Sequence, residues 1–242
     1  MARLNFQEEL ETAEGSLLAE GRLVRTQLEK VLQALASRDE NLAEKVVAED
    51  DRVDDQYLAT QTRVLNLLAL QAPVAGDLRL VSAILLSNMH VERMGDLCVN
   101  VAKFVLAGHP YPEDSPMLLR LQEMGDRAKE MLDVALDALS QRSADLAEQL
   151  PVMDDKLDRL NRGILDDLRL HAGEEDSFEW AVNLILVGRY LERFGDHAVD
   201  IGEQVAFLET GVFREFTDAS HPDAHLRTGT TDPSPDQAPV DR

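Results

Sequence analysis

The chain has 242 residues and a formal net charge of −22, with 46 Asp and Glu against 24 Lys and Arg. This charge argues against a nucleic-acid-binding surface, because binding DNA or RNA depends on neutralising phosphates with Lys and Arg. The single cysteine, Cys98, excludes an intrachain disulfide and a zinc–thiolate cluster, and we expect it to pack as a small apolar residue. No secretory signal and no apolar run of the roughly 18 residues that a membrane span requires is evident, so we expect a soluble, cytoplasmic protein.

Apolar residues recur at helical spacing along most of the chain, and loop-forming residues divide it into six segments. The predicted helices cover residues 6–36, about 40–70, 74–107, 116–141, 144–171 and 176–210. No alternating β-branched run bounded by turns occurs, so strands are not expected. After Phe216 the sequence becomes polar and proline-rich, which predicts a disordered tail over residues 217–242.

Part of the sequence occurs twice. Residues 91–102 and 191–202 share a Glu-Arg-x-Gly-Asp motif at an offset of 100, and residues 32–54 match residues 136–158 at an offset of 104. The run Gly-His-Pro-Tyr-Pro at 108–112 is the strongest break between the two copies. The sequence therefore predicts an all-α fold, a tandem repeat of two antiparallel three-helix bundles over residues 1–108 and 109–216.

Each repeat carries two acidic pairs at i, i+4, one on each of two adjacent helices. These pairs are Asp50 with Asp54, Glu92 with Asp96, Asp154 with Asp158, and Glu192 with Asp196. Like charges at this spacing cost an isolated helix roughly 0.2–0.5 kcal/mol, and a bound cation would relieve the repulsion. Because Mg, Mn and Fe ions favour oxygen ligands, the pairs predict one metal-binding groove in each repeat. Asp200 extends the stripe in the second repeat, where the first has Asn100.

Two other interpretations of the acidic pairs remain open. A single acidic pair is usually a solvated helix face, and Arg93 and Arg193 can reach Asp96 and Asp196 at i+3 and fill the grooves without metal. Gly95 and Gly195 each cost a helix interior roughly 1 kcal/mol, so we expect a neighbouring backbone to pack closely there.

The histidines show no ligand pattern in the sequence. His197 follows Asp196 but corresponds to Leu97 in the first repeat, so we expect a partly exposed, non-ligating side chain. His90 has no metal-ligand spacing. No Glu-x-x-His pair, phosphate-binding glycine loop or nucleophile elbow occurs, and we therefore expect no catalytic activity.

These residues resemble the PhoU family, regulators of phosphate uptake and phosphate signalling in bacteria. The resemblance covers about residues 6–210. It rests on the doubled Glu-Arg-x-Gly-Asp motif, the acidic pairs of the second and fifth helices, and the Gln-Ala-Pro-Val-Ala-Gly-Asp-Leu-Arg run at 71–79.

The resemblance implies two three-helix bundles, frequently assembled as a homodimer, and metal binding through Glu/Asp-x-x-x-Asp motifs. The metals would be iron, manganese, magnesium or zinc, as single ions or multinuclear clusters. It further implies a non-catalytic adaptor, peripheral to the membrane at most, between the phosphate ABC transporter's ATPase subunit and the phosphate sensor histidine kinase. By position the motifs are the four acidic pairs, with Asp200 added, and Asn100 would weaken the first site. The competing hypotheses are a metal-storage or redox bundle and a metal-free helical scaffold.

Overall fold

The structure, a computed structural model, describes the backbone of residues 2–108, 111, 115–169 and 175–216, and the side chains of these residues except 2–5, 169 and 175–179. Every regular element in these ranges is an α-helix. In chain order they are α1 (Ala2–Ser37), α2 (Glu40–Glu49), α3 (Asp51–Gln71), α4 (Ala75–Leu106), α5 (Pro116–Gln141), α6 (Ala144–Ala147), α7 (Leu150–Arg169) and α8 (Glu175–Thr210). None of the described helices is long and apolar enough to span a lipid bilayer. The predicted tail over 217–242 and most of the predicted linker lie outside the described residues.

The eight helices form six rods, because α2 continues into α3 and α6 continues into α7. The prediction of an all-α fold of six helical rods is confirmed, and the structure adds one break within each of the rods predicted over about 40–70 and 144–171. The first break is a tightened turn at Asp50, whose amide donates to the carbonyl of Val47 and whose carbonyl accepts from Val53, both three residues away. The second break precedes Pro151, which lacks an amide hydrogen and is tolerated only in the first turn of a new helix.

Equivalent turns in the two repeats use the same chemistry. Arg38 and Arg142 both adopt left-handed backbone angles, with φ of 53° and 52°, and end α1 and α5. The next residues, Asp39 and Ser143, cap the following helices by accepting the amides of Leu42 and Leu146 at 3.0 and 3.2 Å. The offset of 104 read from the sequence therefore holds in three dimensions.

The two halves pack against each other through α1 with α5 and α4 with α8. Where α1 crosses α5, Gly21 contacts Leu136 and Gly125 contacts Leu32, and a Cβ atom at either glycine would collide with the leucine. Gly125 and Leu136 correspond to Gly21 and Leu32 at the offset of 104. The two contacts are therefore equivalent, and the halves meet with pseudo-twofold symmetry. The halves thus share an interface and a continuous apolar core.

Candidate functional site: two acidic clefts

The carboxylates of the first repeat lie along one groove between α3 and α4. Asp50 lies beside Gly95, and the Asn88 side chain donates to the Tyr57 carbonyl at 3.1 Å, so the two helices run antiparallel as predicted. We call this groove, with the acidic pairs Asp50/Asp54 and Glu92/Asp96, the first cleft. The groups act on one another: burial, followed by repulsion from the neighbouring carboxylates, raises the pKa of both Asp50 and Glu92.

The motif glycines are what lets the carboxylates approach α4 and α8. A Cβ atom at Gly95 would lie 3.4 Å from the Asp50 carboxylate and 3.3 Å from Gln27, and one at Gly195 would lie 3.1 Å from the Asp154 carboxylate. The predicted close packing at these glycines is therefore present, but the nearest neighbours are side chains and not the backbone that we expected. The glycine of each motif provides room for an acid from the preceding rod.

Helix α1 adds two polar residues that the sequence analysis missed. Glu20 is 0% exposed and Gln27 is 2% exposed, and the Gln27 amide donates to the Asp50 carboxylate at 3.1 Å. Within the described part of the chain, neither carboxylate oxygen of Glu20 has a hydrogen-bond partner, and neither does the side-chain oxygen of Gln27. Burial, with repulsion from Glu92 and Asp54, raises the pKa of Glu20 to about 9.

A sequence signal for these two residues existed. Both occupy positions on the stripe of α1 that is otherwise apolar and buried, which includes Leu17, Val24 and Val31. A carboxylate and an amide on a core-facing stripe indicate a buried polar site. Our prediction began from the duplicated acidic pairs, and α1 contributes none of them.

The second repeat forms the second cleft, with Asp154/Asp158 on α7 and Glu192/Asp196 on α8. Asp154 and Asp158 are buried at 4% and 9% exposure. Burial and repulsion from Asp196 raise the pKa of Glu192 to about 7, and the neighbouring Arg189 opposes this shift. Asp196 lies at the rim of the second cleft and is exposed to solvent. Partial desolvation by the surrounding protein atoms, together with the charge of Asp158, nevertheless raises its pKa.

Arginines line both clefts, as the metal-free interpretation requires. Arg93 lies 3.6 Å from Glu92 and 3.5 Å from Asp96, and Arg162 donates to Asp158 at 3.2 Å. Arg93 and Arg162 are more than half exposed, which limits each ion pair to roughly 0–1 kcal/mol. Neither arginine donates a hydrogen bond to the buried Glu20 carboxylate.

The predicted ligands are spread along the clefts. In the described residues, their carboxylate oxygens do not gather three at a time within 4.8 Å of one another. Asp200 lies one turn beyond Asp196 and raises the pKa of that residue, but its carboxylate contacts His90 at 3.2 Å and His197 at 3.3 Å. We expected a partly exposed His197, and its side chain is 16% exposed; its contact with His90 on the other repeat was not indicated by the local spacing of either residue.

A hard cation suits the first cleft chemically. A buried carboxylate without a partner is destabilising unless it is protonated or meets a positive charge, and the charges of Glu92 and Asp54 act on Glu20. Carboxylate and amide oxygens are the ligand types that Mg, Mn and Fe ions prefer. The residues present therefore fit a bound metal.

The sequence model of the PhoU domain matches residues 17–105 and 121–205 of this chain. The chain is 31% identical over 215 residues to the phosphate-specific transport system accessory protein PhoU homolog of Clostridium acetobutylicum, covering 87% of this chain and 97% of that protein. It is 32% identical over 217 residues to the corresponding protein of Pseudomonas aeruginosa, covering 89% of this chain and 88% of its relative.

Two solved structures have the same fold. The crystal structure of PhoU from Pseudomonas aeruginosa superposes with a TM-score of 0.79 at 32% identity, covering 85% of this chain and 99% of that one. The phosphate transport system regulatory protein PhoU from Streptococcus pneumoniae superposes with a TM-score of 0.78 at 30% identity, covering 87% and 100%. With both repeats matched in sequence and in structure, this chain belongs to the PhoU family.

Proposed function

We propose that this chain is a metal-binding regulatory adaptor of phosphate uptake. In phosphate-rich conditions it connects the ATPase subunit of the phosphate ABC transporter to the phosphate sensor histidine kinase and holds the phosphate-starvation response off. The relatives named as accessory proteins of the phosphate-specific transport system support this role. The adaptor acts in the cytoplasm as a homodimer and has no catalytic step.

The buried Glu20 carboxylate carries the metal-binding part of the proposal. Neither of its oxygens has a hydrogen-bond partner among the described residues, and Glu92 and Asp54 lie near enough to repel it, which is costly to the fold unless a cation or proton compensates. Iron, manganese, magnesium or zinc would be held in the first cleft by Glu20 and the acidic pairs, with the Gln27 oxygen beside them. In the second cleft the ligands would be Asp154, Asp158, Glu192 and Asp196.

Deletion of the gene tests the regulatory role. In phosphate-rich medium the deletion strain should express alkaline phosphatase, and the wild-type gene on a plasmid should repress it again. Continued repression in the deletion strain would overturn the adaptor role and leave metal storage or redox chemistry as the better explanation.

Metal quantification separates the metal-binding adaptor from a metal-free scaffold. Protein purified without chelators should contain at least one ion per chain, and Glu92→Ala with Asp96→Ala should lower that content while helicity is retained. The matched control is the pair Asp51→Ala and Asp55→Ala, acids of α3 outside the set of proposed ligands. Metal far below one ion per chain in the wild-type protein would favour the scaffold.

A further inference from the structure

Three ligand-type atoms converge where the two halves of the molecule meet. His90 lies on α4 in the first half, whereas His197 and Asp200 lie one turn apart on α8 in the second. The two Nδ1 atoms are 3.2 Å apart, and the Asp200 carboxylate oxygen is 3.2 Å from one and 3.3 Å from the other. The atoms therefore form a nearly equilateral triangle.

Hydrogen bonds cannot satisfy all three sides of this triangle. Each Nδ1 atom either carries one proton, which two acceptors can share, or presents a lone pair, and a carboxylate offers no proton. If both nitrogens donate to Asp200, their two N–H groups face each other. If one nitrogen donates to the other, the second faces the carboxylate with its lone pair. Every arrangement leaves one repulsive side, and a cation at the centre removes it.

The size of the triangle and its donor atoms suit a zinc ion. Three ligands of a tetrahedral zinc ion, at about 2.0–2.1 Å from the metal, are about 3.3 Å apart, whereas ligands of an octahedral ion at about 2.1 Å are about 3.0 Å apart. The observed sides of 3.2, 3.2 and 3.3 Å are nearer to the tetrahedral value, so the three atoms could bind such an ion with little movement. Two imidazoles and a carboxylate are also a donor set that zinc takes.

The pseudo-symmetric position provides an internal comparison. The residues equivalent to His90, His197 and Asp200 are Tyr190, Leu97 and Asn100, at the offset of 100. Tyr190 and Leu97 also meet between α4 and α8, where they line a small apolar cavity with Cys98 and Phe194. The interface thus packs without ligands at one end, so the histidines at the other end are not a requirement of the fold.

We propose that His90, His197 and Asp200 form a tetrahedral zinc site that joins the two halves of the molecule, with a water molecule as the fourth ligand. The site is separate from the two acidic clefts in its donor set and in drawing on both repeats. Its side chains are 14%, 16% and 42% exposed, so an ion can enter from solvent. A bound ion would hold α4 against α8 and would couple the two halves.

Cobalt(II) titration of the full-length protein after removal of metal tests this site, because tetrahedral cobalt gives much stronger visible bands than octahedral cobalt. The wild-type protein should develop these bands with one equivalent, and zinc should displace them. His90→Ala and His197→Ala should each abolish the bands and weaken zinc binding at least tenfold. Asn100→Ala, the matched change at the pseudo-symmetric position, should retain them.

Glu92→Ala with Asp96→Ala separates this site from the first cleft, since the tetrahedral bands should survive in that variant. His90 contributes nothing to the proposed ligand sets of either cleft, so its variant should keep the metal bound there. Absence of tetrahedral bands in the wild-type protein would overturn the proposal, as would their persistence in folded His90→Ala. The wild-type spectrum decides the matter even if a histidine variant does not fold.

Discussion

The two halves of the molecule share a backbone and differ in the chemistry of their interiors. Five polar residues are buried in the first half, each with at least one side-chain atom lacking a hydrogen-bond partner among the described residues. The equivalent positions of the second half, related by offsets of 104 and 100, carry apolar side chains or glycine. The pairs are Glu20 and Met124, Gln27 and Met131, Thr60 and Ile164, Ser87 and Val187, and Asn88 and Gly188.

This difference shows that the polar residues are not needed for folding. Each unsatisfied buried polar group costs about 1–3 kcal/mol, and the second half forms the same three rods without them. The first half therefore carries a stability cost at these five positions that the second half does not carry there, although the second cleft buries its own acids, Asp154 and Asp158. Asn100 alone suggested a weaker first site, but Glu20 and Gln27 give the first cleft additional oxygen groups.

Copying the acid of the first cleft into the second should have the largest effect on stability. Met124 is fully buried and stands where the first half has Glu20, so Met124→Glu introduces a carboxylate near Glu192 and Asp158. We expect the metal-free variant to lose about 3 kcal/mol or more of unfolding free energy in urea denaturation. Met124→Leu is the control, at a loss below about 1.5 kcal/mol. If Met124→Glu loses less unfolding free energy than Met124→Leu, the second cleft tolerates a buried carboxylate as the first does.

The reverse change should stabilise the metal-free protein. Glu20→Met gives the first cleft the side chain of the second, and we expect a gain of about 2 kcal/mol at pH 7 together with weaker metal binding. Glu11→Met, at an exposed position of the same helix, should change stability by less than about 0.5 kcal/mol. Unchanged metal content in Glu20→Met would show that Glu20 is not a ligand.

The pH dependence of that gain follows from the raised pKa of Glu20. The folded state keeps its proton up to about pH 9, whereas the unfolded carboxyl loses its proton near its ordinary value of 4.5. The folded state therefore binds more protons in this window, and the contribution of Glu20 to stability falls as pH rises from about 4.5 to about 9. Glu20→Met should remove this component, so that the stability difference between variant and wild type grows between about pH 4.5 and about pH 9 and is smallest and constant below about pH 4.5. A difference that stays constant between about pH 4.5 and about pH 9 would contradict the assigned pKa.

Alanine substitutions at the two motif glycines, Gly95 and Gly195, should have smaller effects on stability, and the two effects should differ. A Cβ atom at Gly195 would collide with Leu157 and crowd Asp154, whereas one at Gly95 meets its neighbours at 3.3–3.4 Å. We expect Gly195→Ala to cost about 1–2 kcal/mol and Gly95→Ala to change stability by less than about 1 kcal/mol, because alanine also favours the helix. Thermal unfolding of both variants measures the difference. Equal losses would mean that the second cleft is no more crowded than the first.

The smallest effect is expected at the rim of the second cleft. Arg189 is exposed and pairs with Glu192, so Arg189→Ala should change stability by less than about 0.5 kcal/mol. The pKa of Glu192 should nevertheless rise further above about 7, since Arg189 lowers it in the wild-type protein. NMR titration of the Glu192 carboxyl measures this shift. A pKa that stays the same or falls would show that the arginine does not balance the acids of this cleft.

Much of the fold was determined by the sequence alone. Helical periodicity and the loop residues located six rods, because apolar spacing and turn chemistry act over a few neighbouring residues. The duplicated acidic pairs indicated the two clefts, and the short loop between the second and third predicted helices indicated the antiparallel arrangement that brings Asp50 beside Gly95. Metal binding in those clefts stays a prediction.

Tertiary structure decided which residues from distant helices complete these sites. Glu20 reaches the first cleft because α1 buries one stripe against α3 and α4, and His90 meets His197 because α4 packs along α8. These contacts join residues 72 and 107 positions apart, counted from Glu20 to Glu92 and from His90 to His197. Such contacts depend on how whole helices pack together, and that packing is set by the summed burial of many side chains, which the spacing within any one helix does not encode.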